Sequence, residues 1–457
     1  MRSGQAPAPA RPKRCAGSTD STPLMSQARA GTLRPDMRFE LRWCDIEELT
    51  AASATRLAGR RLDVDLDALR ALLSSDARLT RIRLDLVHPG ERCRIGRVFD
   101  VIAPRAKLDG GEDFPGVLGG VARAGQGQTL ALAGVAVVAT DQQTDSVGTL
   151  AVIDMAGPHA ALSAFGTTHN VVISAWPAPG IERSDYLAAV RLTALKTAVC
   201  LARTAREAAE PDRVEVFALP PSPRVPPDLS HLPRVAYVFQ IHSHQRPTGL
   251  DEGILYGDPV RRMLPTIVHP NEVLDGAVLR GFMGRSVTTW ATQNHPMIRA
   301  LYAQHGRTLW FAGVVVTVAQ ATEPERVRSA FLAAGLVAHT LGADGAVFTK
   351  IGGGAPHVDM AQAAAQCEAL GVKTTAVVED MSTDGSAEGM LLFDFPGVDA
   401  LVNVGSSQEP LTLPAVDRVV GADDLAPKLQ GETRATYGGL CGAIEQVGTT
   451  RVMAEVR

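Results

Sequence analysis

Paired cysteines are missing from this 457-residue chain: Cys15, Cys44, Cys93, Cys200, Cys367 and Cys441 lie far apart, with no C-x-x-C or C-x-x-H spacing. That scatter excludes a disulfide framework or zinc ribbon and reads as reduced thiols. No apolar run reaches the roughly 18 residues that a bilayer crossing requires, so no membrane association is expected. Excess charge of either sign is also missing. With 45 basic and 49 acidic residues, net −4, the chain offers no broad polyanion-binding surface, and nucleic acid is not an expected partner. Lysine is scarce: only positions 13, 107, 196, 350, 373 and 428 carry it, and the other 39 basic residues are arginine. This shortens the list for any Schiff-base lysine. Met1 to about Asp36 is rich in Ala, Pro, Arg, Ser and Gly and lacks the apolar core of a signal peptide. It is expected to be a disordered extension or an upstream mis-start, with Met25 and Met37 as alternative starts and the cytoplasm as the location.

What is present suits a large folded protein: 45% apolar and 21% charged residues over a length that calls for two or three domains. Short β-type runs fill the region from Met37 to Thr140. Leu79 to Val87 alternates as a half-buried strand, and Thr129 to Thr140 reads as one buried strand. Asp67 to Ser75 reads as a short helix, and Asp185 to about Ala209 as a long one with Ser184 as its N-cap. Pro211 to Pro233 holds seven prolines and reads as a linker. Beyond it, strand candidates at Val235–Ile241, Leu309–Val318, Val347–Lys350, Lys373–Glu379 and Ala400–Val404 alternate with helical stretches at Glu325–Leu341 and His357–Leu370. The expected fold is therefore α/β: a β-rich N-terminal domain (37–210), a linker (211–233), and a mostly parallel open α/β sheet domain (234–457).

In an open α/β sheet, ligands bind beyond the C-terminal strand ends. Candidate substrate-binding residues gather there. His242 and His244 follow the first strand on one side of it and have the spacing to share a metal with a third ligand such as Asp380, Glu379 or His357; polar pocket lining is the alternative. Gly352-Gly353-Gly354 leads into a helix carrying Asp359. Such a loop suits a carboxylate or phosphate, or is simply a tight turn capped by Asp359 or a nearby residue; it matches no nucleotide-binding pattern. Glu379-Asp380, Asp384 and Gly405-Ser-Ser407 border the same edge, where carboxylates could hold a cationic amine. Asp380 and Cys441, the thiol best placed for redox work, are the candidate catalytic groups, and Cys200 reads as core.

Several segments, in order, resemble a known family. They are His88-Pro-Gly-Glu, Ala103-Pro-Arg-Ala-Lys-Leu, Phe114-Pro-Gly-Val, Val135-Ala-Val-Val-Ala-Thr, Ile153-Asp-Met-Ala-Gly-Pro and His169-Asn-Val-Val. The second half adds Pro265-Thr-Ile-Val-His-Pro-Asn-Glu-Val-Leu-Asp-Gly-Ala, Gly342-Ala-Asp-Gly-Ala, Leu413-Pro-Ala-Val-Asp-Arg-Val-Val-Gly and Gly442-Ala-Ile-Glu-Gln-Val-Gly. Together they resemble the precursor subunit of glycine/sarcosine/betaine reductase component B, a pattern shared in part with proline reductase precursors. The resemblance implies reductive C–N cleavage of an amine or amino-acid substrate, a partner subunit carrying selenocysteine or cysteine, and an oligomeric complex. It also implies self-cleavage before a cysteine that becomes a pyruvoyl carbonyl.

That cysteine position falls on Met283 here. A thioether has no S–H to start an acyl shift, so the pyruvoyl group is expected to be absent and no other cofactor is expected. Ser286, Thr288 and Thr289 stand nearby as hydroxyls that either take over the shift or hydrogen-bond within a loop. The alternatives to a reductase subunit are a non-catalytic scaffold and a metal-dependent enzyme built on His242 and His244.

Overall fold

Alternating apolar and polar residues build two four-stranded sheets from the first half of the chain. In one, Met37–Asp45 runs antiparallel to Arg213–Leu219 and parallel to Gly127–Ala133, which pairs with Arg105–Lys107. In the other, His169–Pro177 lies between Leu79–Val87 and Val135–Asp141, with Val98–Ile102 outermost. The computed structural model describes residues 37–143, 151–207, 210–219, 225, 227–243, 253–261, 263–279, 287–380, 382, 397–398, 400–448 and, as backbone, 453–456. The extension read at 1–36, and His244, Met283, Ser286 and Asp384, lie outside these residues.

Three expectations need correction. The single strand read at Thr129–Thr140 is two strands in different sheets, broken at Gly134. There φ is +77°, and a Cβ would lie 2.3 Å from the Ile46 carbonyl oxygen, so only glycine fits the switch. The long helix spans Arg183–Arg203 with Glu182 at its N-cap. Ser184 falls inside it, because Arg183 is already helical and forms an ion pair with Asp141. Finally, Arg213–Leu219, inside the segment read as a linker, is an edge strand. Its Phe217 and Leu219 are buried while Val214 and Val216 face out, the period-two pattern of a half-buried strand.

The second half forms a seven-stranded sheet in the order Thr266–Val268, Trp310–Ala319, Arg234–Ser243, Gly345–Thr349, Lys373–Val378, Ala400–Asn403, Met453–Val456. The inner five are parallel and the two outermost antiparallel. Helices Glu323–Gly335 and Ala355–Ala369 cover one face through Ala330, Ala333, Met360 and Ala364. The first of these ends in a wider turn at Leu336–Thr340. The other face packs Tyr237, Phe239 and Phe311 against Phe39, Leu41 and Trp43 of the first sheet. The two halves thus share a core, and 36–457 forms one compact unit.

Arg94 fastens the C-terminal segment to the N-terminal strands. Cys93–Ile95 pairs with Ile153–Asp154 and, in parallel, with Arg418–Val420. The fully buried Arg94 guanidinium donates to Asp154 at 2.6 and 3.2 Å, to the Leu429 and Pro414 carbonyls at 2.5 and 2.7 Å, and to Thr433 Oγ1 at 2.9 Å. Removing one partner of such a pair leaves a buried charge unpaired. Arg94→Ala is expected to lower unfolding free energy by about 3–5 kcal/mol in urea titrations. A loss below about 1 kcal/mol would show that the pair is not holding the segment in place.

Candidate functional site at the carboxyl edge of the parallel sheet

By order along the chain, the five parallel strands stand 2-1-3-4-5 across the sheet. The crossovers after the first and third strands pack on opposite faces, and in sheets of this order the crevice lies between those strands, here Arg234–Ser243 and Gly345–Thr349, at their carboxyl ends. Gln240 spans it: its Oε1 accepts from the Ile351 N–H and its Nε2 donates to the Pro356 carbonyl, both at 3.3 Å. This braces the glycine turn. Gly352 and Gly354 both have positive φ (+67° and +79°), and a Cβ on Gly352 would meet nothing within 4 Å, so the turn borders open space.

Lys350 sits at the base of this crevice, immediately after its strand, and is fully buried. Its Nζ donates to the Gly352 carbonyl at 2.7 Å and to Gln446 Oε1 at 3.4 Å. Gln446 Nε2 in turn donates to Glu379, which ends the next strand. Among the described residues, no carboxylate comes within ion-pair reach of Nζ, and burial pushes the amine down to about 8 against the weaker pull of Glu379. His357, in the first turn of the following helix, is fully buried with neither ring nitrogen hydrogen-bonded among the described residues. Burial first, then nearby Lys350, pushes its imidazole down to about 2, so it is neutral. Beneath Lys350, Tyr237 hydroxyl contacts Thr349 Oγ1 and lies 3.1 Å from His295 Nε2.

The residues singled out in the sequence fall into several environments. The glycines form the turn as expected. Asp359 does not cap the helix: both carboxylate oxygens accept from the Gln320 N–H at 3.1 Å, and it lines a small cavity with Gln240, Thr317, Ser329 and Thr349. Asp380 accepts from Ser382 N and Oγ at 2.8 and 2.6 Å and from Asn403 Nδ2 at 3.2 Å, which ties the ends of two strands together. His242 is buried, its Nδ1 3.5 Å from the Gly253 nitrogen. Among the described residues, no three His, Cys, Asp or Glu side chains are grouped to hold a metal. The Ser407 carbonyl receives the Gly438 N–H, and its hydroxyl lies 3.3 Å from Gln408 Nε2. Cys441 is fully buried, and burial, then Glu445 and Asp100, pushes its thiol well above the usual range, which disfavours the thiolate. Thr288 caps a helix by accepting from Ala291 N, and Thr289 donates its hydroxyl to Asp100 at 2.6 Å.

A model of glycine/sarcosine/betaine reductase component B subunits matches residues 37–453. The chain belongs to this family. It is 31% identical over 436 residues to the glycine reductase complex component B subunits alpha and beta of Acetoanaerobium sticklandii, spanning 92% of this chain and 100% of that protein. It is 31% identical over 418 residues to the sarcosine reductase complex component B subunit alpha of Peptoclostridium acidaminophilum, covering 90% and 94% of the two chains. The betaine reductase counterpart from the same organism is 30% identical over 393 residues, covering 84% and 88%. No solved structure matches.

Segments carrying the component B resemblance meet around Asp275. Its carboxylate takes Lys107 Nζ at 2.7 Å, the Gly125 N–H at 2.7 Å and Thr129 Oγ1 at 2.9 Å, deep in the interior. Arg105 donates to the Leu274 carbonyl at 2.7 Å, and Asn271 donates to three carbonyls, those of Met37, Gly125 and Phe217. This lattice fixes the backbone up to Leu279. The sequence reading did not assign Lys350 or Gln446 to the site. The available signals were the rarity of lysine, its position ending an apolar strand, and the recurrence of Gln446 in a family-like segment.

Burial holds the Asp359 carboxyl at about 7, far above its ordinary range. The folded state therefore binds the proton more tightly than the unfolded state does. The stability this contributes is full below the usual carboxylate range and is lost as pH rises toward 7. Asp359→Asn is expected to match wild type in melting temperature below about pH 4 and to exceed it at pH 8 by an amount worth on the order of 1–2 kcal/mol. Parallel melting curves across this range contradict the assignment.

Proposed function

We propose that this chain is the substrate-binding subunit of a component B-type reductase complex. It holds a small amine or amino-acid-type substrate in the Lys350 crevice, while a separate thiol- or selenol-bearing subunit supplies the nucleophile and electrons for reductive C–N cleavage. The observation that carries this reading is the buried Lys350–Gln446–Glu379 chain at the sheet's switch point, together with a buried His357 whose ring nitrogens have no hydrogen-bond partner among the described residues. Desolvated polar groups at such an edge are expensive unless a ligand completes them.

The residues do not fit a pyruvoyl group made from a thiol. Position 283 is methionine, and the sequence has no cysteine between Cys200 and Cys367. The described hydroxyls downstream are engaged, Thr288 as a cap and Thr289 with Asp100, so neither stands free to start an acyl shift. In this reading the chain stays intact and no substrate iminium forms on it. The substrate nitrogen then arrives already cationic, protonated or quaternary, and Glu379, the carboxylate that acts on Lys350, balances it.

Intact-mass spectrometry of the purified protein is expected to give one uncleaved chain of up to 48.3 kDa. Two fragments broken between residues 282 and 289 would overturn the uncleaved reading. Amine release is expected only after the thiol-bearing subunit is added, and catalysis by the chain alone would overturn the partnership.

A further inference from the structure

Helices cover both faces of an open α/β sheet, and in this sheet the cover runs out at one edge. Thr266–Val268 is the outermost strand there and pairs antiparallel with Trp310–Ala319. Its Val268 and Thr266 stand opposite Val314 and Val316, which belong to the core shared with the first sheet. Ile267 stands opposite Val315, which shares the other core with Ala330, Ala333 and Ala334 of the helix Glu323–Gly335. Ile267 therefore points to the face that this helix covers, yet it stays 37% exposed. A cavity of about 450 Å³ opens here, lined by Arg261, Met263 and Leu264 on the approach to the strand and by Gln320, Glu325 and Arg328 at the helix. Leu332 lies one turn beyond Arg328 on the same side of the helix and is 40% exposed, and Leu264 is 54% exposed. The groove is thus apolar through Met263, Leu264, Ile267 and Leu332. Two guanidinium groups in its lining stand against one carboxylate, and that one, Glu325, accepts from the Thr322 N–H and hydroxyl in the helix cap.

We infer that this groove docks the thiol- or selenol-bearing subunit through an amphipathic segment of that partner. The segment is apolar where it meets Leu264, Ile267 and Leu332, and acidic where it meets Arg261 and Arg328. The assignment rests on the proposed function, which requires such a partner, and it names the surface on which the partner sits. Two features select this occupant. A net cationic lining favours an acidic segment over a second copy of the chain, because a two-fold contact of groove on groove would bring the same arginines together. The groove also lies beside the crevice that the partner's nucleophile must reach. The Gln320 N–H donates to Asp359, on the helix that begins at the glycine turn. Trp310–Ala319 and Gly345–Thr349 are separated only by Arg234–Ser243, so roughly 10 Å of sheet lies between groove and Lys350 strand. A helix laid against Ile267 and Leu332 would extend the helical layer over the bare edge.

The test is calorimetric titration of the purified full chain with the purified thiol- or selenol-bearing subunit, at low and high salt. Arg328→Glu and Leu332→Glu, both at exposed positions, are each expected to weaken binding about tenfold, with melting temperatures equal to wild type. Leu370→Glu, at an exposed apolar position outside the groove, is expected to bind as wild type does. Wild-type binding is expected to weaken as salt rises, a measurement that needs no variant to fold. Equal binding by wild type and both groove variants, an equal loss for Leu370→Glu, or binding indifferent to salt overturns the docking surface and leaves the proposed function standing. Self-association of the chain that both groove variants abolish, with partner binding kept, also overturns it. A wild-type chain that does not bind the partner at all removes the proposed partnership, and this surface with it.

Discussion

Strand order governs this molecule. Because the first parallel strand lies between the second and third, the crossovers that follow the first and third strands pack on opposite faces of the sheet, which makes the gap between their carboxyl ends its switch point. Gln240, Lys350 and the glycine turn all project from that gap, and Gln446 reaches it from the distant C-terminal segment. The polar chain Lys350–Gln446–Glu379 can exist there because the sheet on one side and the helix Ala355–Ala369 on the other keep it dry. Among the described residues, no carboxylate lies within ion-pair reach of the lysine, which donates to the Gly352 carbonyl and Gln446.

Much of the scaffold was legible from residue patterns. The five parallel strands lie close to where apolar runs placed them, since buried β-branched segments between turns have few other options. Errors arose where one tertiary contact overrides a local pattern. The apolar run through Gly134 reads as continuous until the Ile46 carbonyl forces a break. Arg213–Leu219 hides among prolines, and only its pairing with Met37–Asp45 makes it a strand. The site was legible as an edge rather than as a set of side chains. The glycine turn marks itself by composition, whereas Lys350 and Gln446 lie 96 positions apart and meet only through the fold. Asp359 and Cys441 looked chemically suited from the sequence; the fold gives the carboxylate the Gln320 N–H and buries the thiol fully.

The lattice around Asp275 bears on the departure at Met283. Lys107, Arg105, Thr129 and Asn271 hold the segment ending at Leu279 with buried, charge-assisted bonds. Such bonds fix a backbone whatever chemistry follows it. The framework around Asp275 would stand with or without the carbonyl chemistry that the resemblance implies, and the proposed function relies on the framework alone.

The proposed function requires that the crevice at Lys350 serve the reductase reaction. Gln446 is the residue that joins Lys350 to Glu379, and Gln446→Leu removes the link while keeping the volume. Amine release by the complex reconstituted with its thiol- or selenol-bearing partner tests the claim most directly. A loss of about tenfold to a hundredfold is expected for Gln446→Leu, with the complex still assembling as wild type does. An unchanged rate in an intact complex would contradict it and move the substrate site elsewhere.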